Sequence, residues 1–252
     1  MRAAPHAAAR LRGAWRIGRS VLHALHGALI CAVVFPFLDD AARMRRVGWW
    51  SAGMLEAMGV GLRAVGTIHP APVLLLANHV SWLDILAINA IEPVRFVSKA
   101  DVRQWPLLGY LVAAGGTLFI ERERKRDALR VVHQVADALR AGQRIAVFPE
   151  GTTGSGPELL PLHANLMQAA IATATPVQPV ALRYADAAAP FSAAVEFIGE
   201  TTLLESVWRI ACAERLHAHV TLLPGEAVAV DRRVLAATIR SRIQAALDAG
   251  RD

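Results

Sequence analysis

Short runs rich in Val, Ile and Leu recur along most of this chain with room for about one helix between them, and that alternation restricts the fold more than any other feature. The runs are Val73–Ala77, Val94–Ser98, Thr117–Ile120, Arg144–Phe148, Val177–Leu182, Ala194–Ile198 and Val220–Leu223. Each has the length of a strand and is too short for a stable helix. Between residues 125 and 141, Leu129, Val132, Val135 with Ala136, and Leu139 repeat at helical spacing opposite a charged face, and Gly142 stands where such a helix stops. Strands alternating with helices predict an α/β architecture, a mixed and largely buried sheet flanked by helices. A chain of 252 residues is long enough to bury one such core.

The first 62 residues follow another pattern. The formal net charge of +6 lies in residues 1–46, which hold eight Arg and two Asp, while the remainder is balanced. An Arg-rich start (Arg2, Arg10, Arg12, Arg16, Arg19) before an apolar stretch from Val21 to Leu38 is a membrane-surface pattern, each basic residue contributing about 1 kcal/mol near an anionic leaflet. The stretch ends in Asp39-Asp40 followed by Arg43, Arg45 and Arg46, which is no signal-peptidase site. Interrupted by His23, His26 and Pro36, it is barely long enough to span a hydrocarbon core of about 30 Å. A second apolar segment, Val47–Leu62, opens with Trp49-Trp50, and paired indoles suit the headgroup level. Basic residues on both flanks of the first segment favour one side of the membrane, the cytoplasmic one. Residues 1–62 therefore read as a helical hairpin that dips into one leaflet as a monotopic anchor, and residues 63–252 as the globular domain. Two ordinary buried helices are the alternative.

Other classes find little support. No basic helix-turn-helix, zinc finger or RNP-like aromatic strand accompanies the charge, so nucleic acid is not an expected partner. Cys31 and Cys212 sit in apolar and helical patterns and read as small core hydrophobes. His217 and His219 share a strand face with no third ligand nearby, and no metal is expected.

The chemistry gathers at strand ends. Asn78-His79-Val80-Ser81-Trp82-Leu83-Asp84 follows one strand and opens a helix. On one continuous helix His79 and Asp84 would point about 140° apart. With Ser81 as N-cap, His79 lies in the incoming loop and Asp84 in the first turn, where the carboxylate can reach one imidazole nitrogen and leave the other to take a proton. The same Ser-x-x-Asp spacing is also a capping pattern in which Asp84 only receives a backbone N–H. A second strand runs into Pro149-Glu150-Gly151-Thr152-Thr153-Gly154, a loop that reads either as an anion nest or as a plain surface turn. Lys99 and Arg122 close two further strands, and either could meet a phosphate.

Together these segments resemble the 1-acylglycerol-3-phosphate O-acyltransferase family of glycerolipid acyltransferases. The blocks that carry the resemblance are Asn78-His79-x-Ser81-x-x-Asp84, Gly116-x-x-Phe119-Ile120-x-Arg122, Phe148-Pro-Glu-Gly-Thr152 and Pro176-Val-x-Pro179-Val, with Lys99-Ala-Asp and Trp105-Pro-x-x-Gly109 between them. It is strong over about residues 63–185. The resemblance implies the glycerol-3-phosphate acyltransferase-like fold, a catalytic domain over 63–252, and an anchor at the cytoplasmic face of the inner membrane. It implies transfer of an acyl group from acyl-CoA or acyl-carrier protein to the free hydroxyl of a lysolipid, lysophosphatidate foremost, with no bound cofactor. His79 would be the general base and Asp84 its orienter; Arg122, Glu150, Gly151, Thr152 and Lys99 would hold the acceptor. Many members carry Arg after Phe-Pro-Glu-Gly-Thr where this chain has Thr153. A related branch acylates lyso-ornithine lipid, which has no phosphate, and stands as the second expectation. The alternative from another class is a catalytically idle peripheral protein that binds lipid through the hairpin.

Overall fold

The computed structural model describes residues 6–70, 72–105, 107–120, 125–228 and 231–251. Its centre is a seven-stranded sheet in the order β1-β7-β6-β2-β5-β3-β4. In chain order the strands are β1 (Gly61–Val65), β2 (Val73–Ala77), β3 (Arg95–Lys99), β4 (Leu118–Ile120), β5 (Arg144–Val147), β6 (Val177–Ala185) and β7 (His217–Leu222). β6, β2, β5, β3 and β4 run parallel, so their carboxyl ends share one edge, while β7 is antiparallel to β6 and parallel to β1.

β2 is buried along its whole length, as a central parallel strand must be when helices cover both faces. Val73, Leu75 and Ala77 enter one apolar cluster and Leu74 and Leu76 the other, the two-residue period of a pleated strand. The first cluster joins α2 (Asp40–Met58), α3 (Leu83–Ile91) and α7 (Leu203–Cys212); the second joins α5 (Lys125–Arg140), α6 (Met167–Ala172) and α8 (Arg232–Asp248). α4 (Leu108–Ala114) bridges β3 and β4. The architecture is the mixed α/β sandwich expected from the alternation.

Three local expectations are corrected. Ala194–Ile198 forms no strand; Val195 is buried, but Phe197 N–H donates to the Val80 carbonyl (3.4 Å), which ties the segment to a loop. β7 begins at His217, earlier than the run from Val220 suggested. On α5 the core face is Val131, Val135, Ala136 and Leu139, while Leu129 is exposed. The helix is rotated by a fraction of a turn from the reading that began at Leu129.

α1 (Ala7–Val33) and α2 form an antiparallel hairpin joined by a short 3-10 turn, Phe35–Phe37. Asp39 caps α2 by accepting from the Ala42 N–H (2.7 Å), and Gly59 ends it in the left-handed region at φ 71°. The second apolar segment thus divides, its last residues turning into β1. Ala24, Met54, Leu55, Met58 and Val60 belong to the same cluster as β2 and α3, so the hairpin shares the core of the sheet. Gly27 lets the helices approach: a Cβ there would lie 2.2 Å from Trp50 Nε1. Across this contact Trp50 Nε1 donates to the His23 carbonyl (3.1 Å), and His23 Nε2 lies 2.9 Å from the Trp50 carbonyl.

The N-terminal arginines have an unexpected destination. Arg12 donates to the Cys212 carbonyl (2.8 Å) and Arg16 to those of Ala211 and Ala213 (3.1 and 2.7 Å). These are the orphan carbonyls at the C-terminus of α7, where cations are favoured. Leu11, Trp15, Leu22, Leu25, Leu29 and Val33 form the outward stripe instead, and Phe37 at the hairpin turn is 86% exposed. No helix among the described residues is long and apolar enough to cross a membrane.

Candidate active site

The site is built where β2 and β5 end side by side. Asn78, the first residue beyond β2, extends the sheet with its side chain: its Nδ2 donates to the Leu182 carbonyl (2.9 Å) and its Oδ1 accepts the Leu182 N–H (2.6 Å). That clamp to β6 fixes where the next residue, His79, leaves the sheet. The His79 ring stacks on Phe148 at the end of β5, centroids 4.0 Å apart and planes 10° from parallel. Phe148 in turn stacks on Phe96 of β3.

His79 Nδ1 donates to Asp84 Oδ2 at 2.7 Å. The Asp84 side chain is wholly buried, while His79 keeps 20% of its side chain exposed. The same Oδ2 accepts the N–H groups of Val80 (2.7 Å) and Ser81 (3.0 Å), and Oδ1 accepts the Tyr184 hydroxyl (2.6 Å). The two readings of the spacing are therefore both present: Asp84 receives backbone amides and holds the imidazole at once. Ser81 is not the N-cap; Trp82 occupies that position, and the Ser81 hydroxyl lies 3.5 Å from the Leu83 N–H.

Tyr184 was not foreseen. Burial, with the adjacent Asp84 carboxylate, pushes its phenol well above its ordinary value, so it remains an O–H donor. The available signal was the phase of β6, since Val180, Leu182 and Tyr184 alternate into one cluster and a buried tyrosine hydroxyl requires a partner.

Glu150, only 5% exposed, joins the two loops. Its Oε1 accepts the His79 N–H (2.7 Å) and its Oε2 the Leu160 N–H (2.9 Å). Burial pushes its carboxyl above the ordinary value, against the pull of those amides and of His79. Gly154 N–H donates to the His79 carbonyl (2.7 Å) and Gly151 N–H to the Phe148 carbonyl (3.0 Å). The amides of Gly151 and Gly154 are thus directed at the protein itself, which corrects the nest reading for them, and those of His79, Val80 and Ser81 are taken up by Glu150 and Asp84. Gly151 takes a positive φ of 72°, a conformation that favours glycine. Thr152 is exposed, and the Thr153 hydroxyl donates to the Phe197 carbonyl.

His79, Asp84, Glu150, Gly151 and Thr152 are therefore brought to one place. Lys99, exposed, ends β3 at the same sheet edge, beyond β5. Arg122 lies outside the described residues. His217 and His219 have ring centroids 6.4 Å apart, and no group of three or more metal-ligating side chains occurs among the described residues.

A family model described as Acyltransferase matches residues 63–183. A lyso-ornithine lipid O-acyltransferase of Pseudomonas aeruginosa is 38% identical over 206 residues, covering 81% of this chain and 79% of the relative. A 1-acyl-sn-glycerol-3-phosphate acyltransferase of Neisseria meningitidis is 36% identical over 208 residues, covering 81% of each. The crystal structure of the 1-acyl-sn-glycerophosphate acyltransferase PlsC from Thermotoga maritima superposes with a TM-score of 0.65 over 93% of this chain and 97% of that one, at 16% identity, which establishes a shared fold. The chain belongs to the acyltransferase family.

Proposed function

We propose that the protein moves a fatty acyl group from acyl-CoA or acyl-carrier protein to the free hydroxyl of 1-acyl-sn-glycerol-3-phosphate, giving phosphatidate. The observation that carries this reading is the His79–Asp84 pair. Asp84, with four donors, fixes the ring so that Nδ1 carries its proton inward and Nε2 is left as the base. Nε2 takes the hydroxyl proton as the oxygen attacks the thioester carbonyl. The tetrahedral intermediate then expels the thiolate, which receives that proton from the imidazolium, leaving an ester and a free thiol. No acyl-enzyme is required. Lys99, Arg122, Gly151 and Thr152 hold the acceptor in this reading, and Glu150 shapes the site by fixing the His79 backbone.

A second reading, lyso-ornithine lipid as acceptor, is favoured by Thr153. Its hydroxyl is engaged by Phe197, so no cation serves a phosphate at that position, and the Pseudomonas relative carries that name. Labelled palmitoyl-CoA offered with lysophosphatidate and with lyso-ornithine lipid, His79→Ala serving as blank, separates the two. Faster transfer to lysophosphatidate is expected; faster transfer to lyso-ornithine lipid replaces the first reading with the second, and no transfer to either defeats both.

The hairpin of residues 1–62 acts as a monotopic anchor at the cytoplasmic face in this proposal, supported by the apolar outward stripe of α1 and the exposed Phe37. Placing glutamate at Leu22 and Leu29 together should release the protein from phosphatidylglycerol-containing vesicles while its circular dichroism stays unchanged. Continued cosedimentation would refute the anchor.

A further inference from the structure

Hydrogen bonds hold the His79 side chain at its two ends. The Asn78 clamp and the Glu150 carboxylate fix the backbone and with it Cβ, and Asp84 Oδ2 holds Nδ1. A ring held at two atoms still pivots about the line that joins them. That pivot would carry Nε2, the nitrogen left to take a proton, through an arc. A contact on the face of the ring is needed to set its plane, and Phe148 supplies it: the two rings stack with centroids 4.0 Å apart and planes 10° from parallel.

Strand phase and a tight turn put the phenyl there. Ala146 of β5 is in register with Phe96 of β3, and both enter the cluster that packs under α3. Phe148, two residues beyond Ala146, points to the same face and packs against the same cluster. Phe96, 2% exposed, backs it with a second stack, centroids 5.7 Å apart and planes 19° from parallel. The Gly151 N–H donates to the Phe148 carbonyl (3.0 Å) and closes the turn Phe148-Pro149-Glu150-Gly151. One turn thus presents a phenyl to the ring of His79 and a carboxylate to its N–H.

The phenyl also bears on the charge that base catalysis creates. The negative face of an aromatic ring attracts a cation above it, so the imidazolium gains more from this stack than the neutral imidazole does. The titratable groups that face His79 are Asp84 from α3 and Glu150 from the loop after β5, with Tyr184 of β6 behind Asp84. Substitution at Phe148 leaves all three side chains in place.

We propose that Phe148 is a positioning residue for the base: its ring sets the plane in which Nε2 meets the acceptor hydroxyl and stabilises the imidazolium formed there. This rests on the reading of His79 as the general base of a lysolipid acyltransferase and adds the group that aims it. The test compares Phe148→Leu and Phe148→Met, which keep apolar bulk without an aromatic face, with Phe148→Tyr, which keeps the face. Full-length, detergent-solubilised protein is assayed across pH with palmitoyl-CoA and whichever lysolipid it acylates faster. The titration of His79 is followed separately by NMR of isotopically labelled histidine, its resonance identified by its absence in His79→Ala. An aliphatic variant with wild-type circular dichroism should lose about 10- to 100-fold in kcat, the effect of misplacing a base by about 1 Å, with both KM values within about threefold of wild type. The acidic limb of the kcat profile and the NMR titration should move together to lower pH by about half a pH unit. Phe148→Tyr should rescue both. A folded aliphatic variant with wild-type kcat overturns the proposal. So does a fall in kcat with the titration unmoved, the mark of a packing residue, or a loss confined to KM, the mark of a substrate contact. An unmoved titration overturns it whether or not transfer is seen, while a moved titration in a protein that transfers no acyl group counts against the acyltransferase reading alone.

Discussion

Two buried carboxylates, one in the first turn of α3 and one in the loop after β5, both hold His79. Asp84, beyond β2, holds the ring; Glu150, beyond β5, holds the backbone N–H of the same residue. Their difference lies in what else they touch. Asp84 receives a partly exposed imidazole and a phenol from β6 besides two loop amides, while Glu150 receives only the amides of His79 and Leu160. An imidazole can pass a proton onward and an amide cannot, so in the proposed mechanism one buried carboxylate orients a base and the other is a clasp.

The sharpest way to break that contrast is to neutralise each carboxylate in turn. Asp84→Asn keeps the volume but sets an amide against either the imidazole or the loop N–H groups, so the wrong nitrogen of His79 carries the proton. We expect kcat to fall by about 10³- to 10⁴-fold with little change in KM, as in other triads of this type. Activity within tenfold of wild type would reduce Asp84 to a helix cap.

Glu150→Gln should act on stability first. Its single oxygen can accept only one of the His79 and Leu160 amides, and the other loses its partner at a cost of about 1–3 kcal/mol. The pH profile adds a sign. Because burial raises the Glu150 carboxyl in the folded protein, the native state binds that proton more tightly than the unfolded chain does. The resulting contribution is complete below the unfolded value of 4.5 and is lost as pH rises through the raised folded value. Denaturant titrations from pH 4 upward should show this loss in wild type and its absence in Glu150→Gln. Parallel profiles would mean that Glu150 is not the group responsible.

How much of this was legible follows from chain distance. His79 and Asp84 are five residues apart, so one turn joins them and the local spacing was enough to propose the pair. Glu150 reaches His79 across 71 residues and Tyr184 reaches Asp84 across 100, pairings set by strand order rather than by local pattern. The alternation that revealed β2 to β6 also suggested a strand at 194–198, where apolar Val195 enters the core but the backbone laces two loops instead. At the N-terminus the composition gave the charge of Arg12 and Arg16 but not its direction. Both point at the C-terminus of α7, and the apolar stripe rather than the arginines is what α1 presents outward.

Tyr184→Phe is the mildest probe of the contrast, because it removes one donor from Asp84 and leaves the three on Oδ2. The Oδ1 oxygen is then buried with no described partner, and a bond to a charged group contributes about 1.5–3 kcal/mol. Part of that loss falls on folding. The rest falls on the carboxylate itself, which is less well held as an anion and so shares the His79 proton more readily. The acidic limb of the kcat profile should therefore move to higher pH, since the more basic Asp84 carboxylate holds the imidazolium more tightly, and kcat at neutral pH should fall by about tenfold. A purely structural tyrosine would lower the melting temperature while leaving the kcat profile in place. Glu150→Gln supplies the control, because its clasp touches the backbone of His79 and should shift stability without moving that limb.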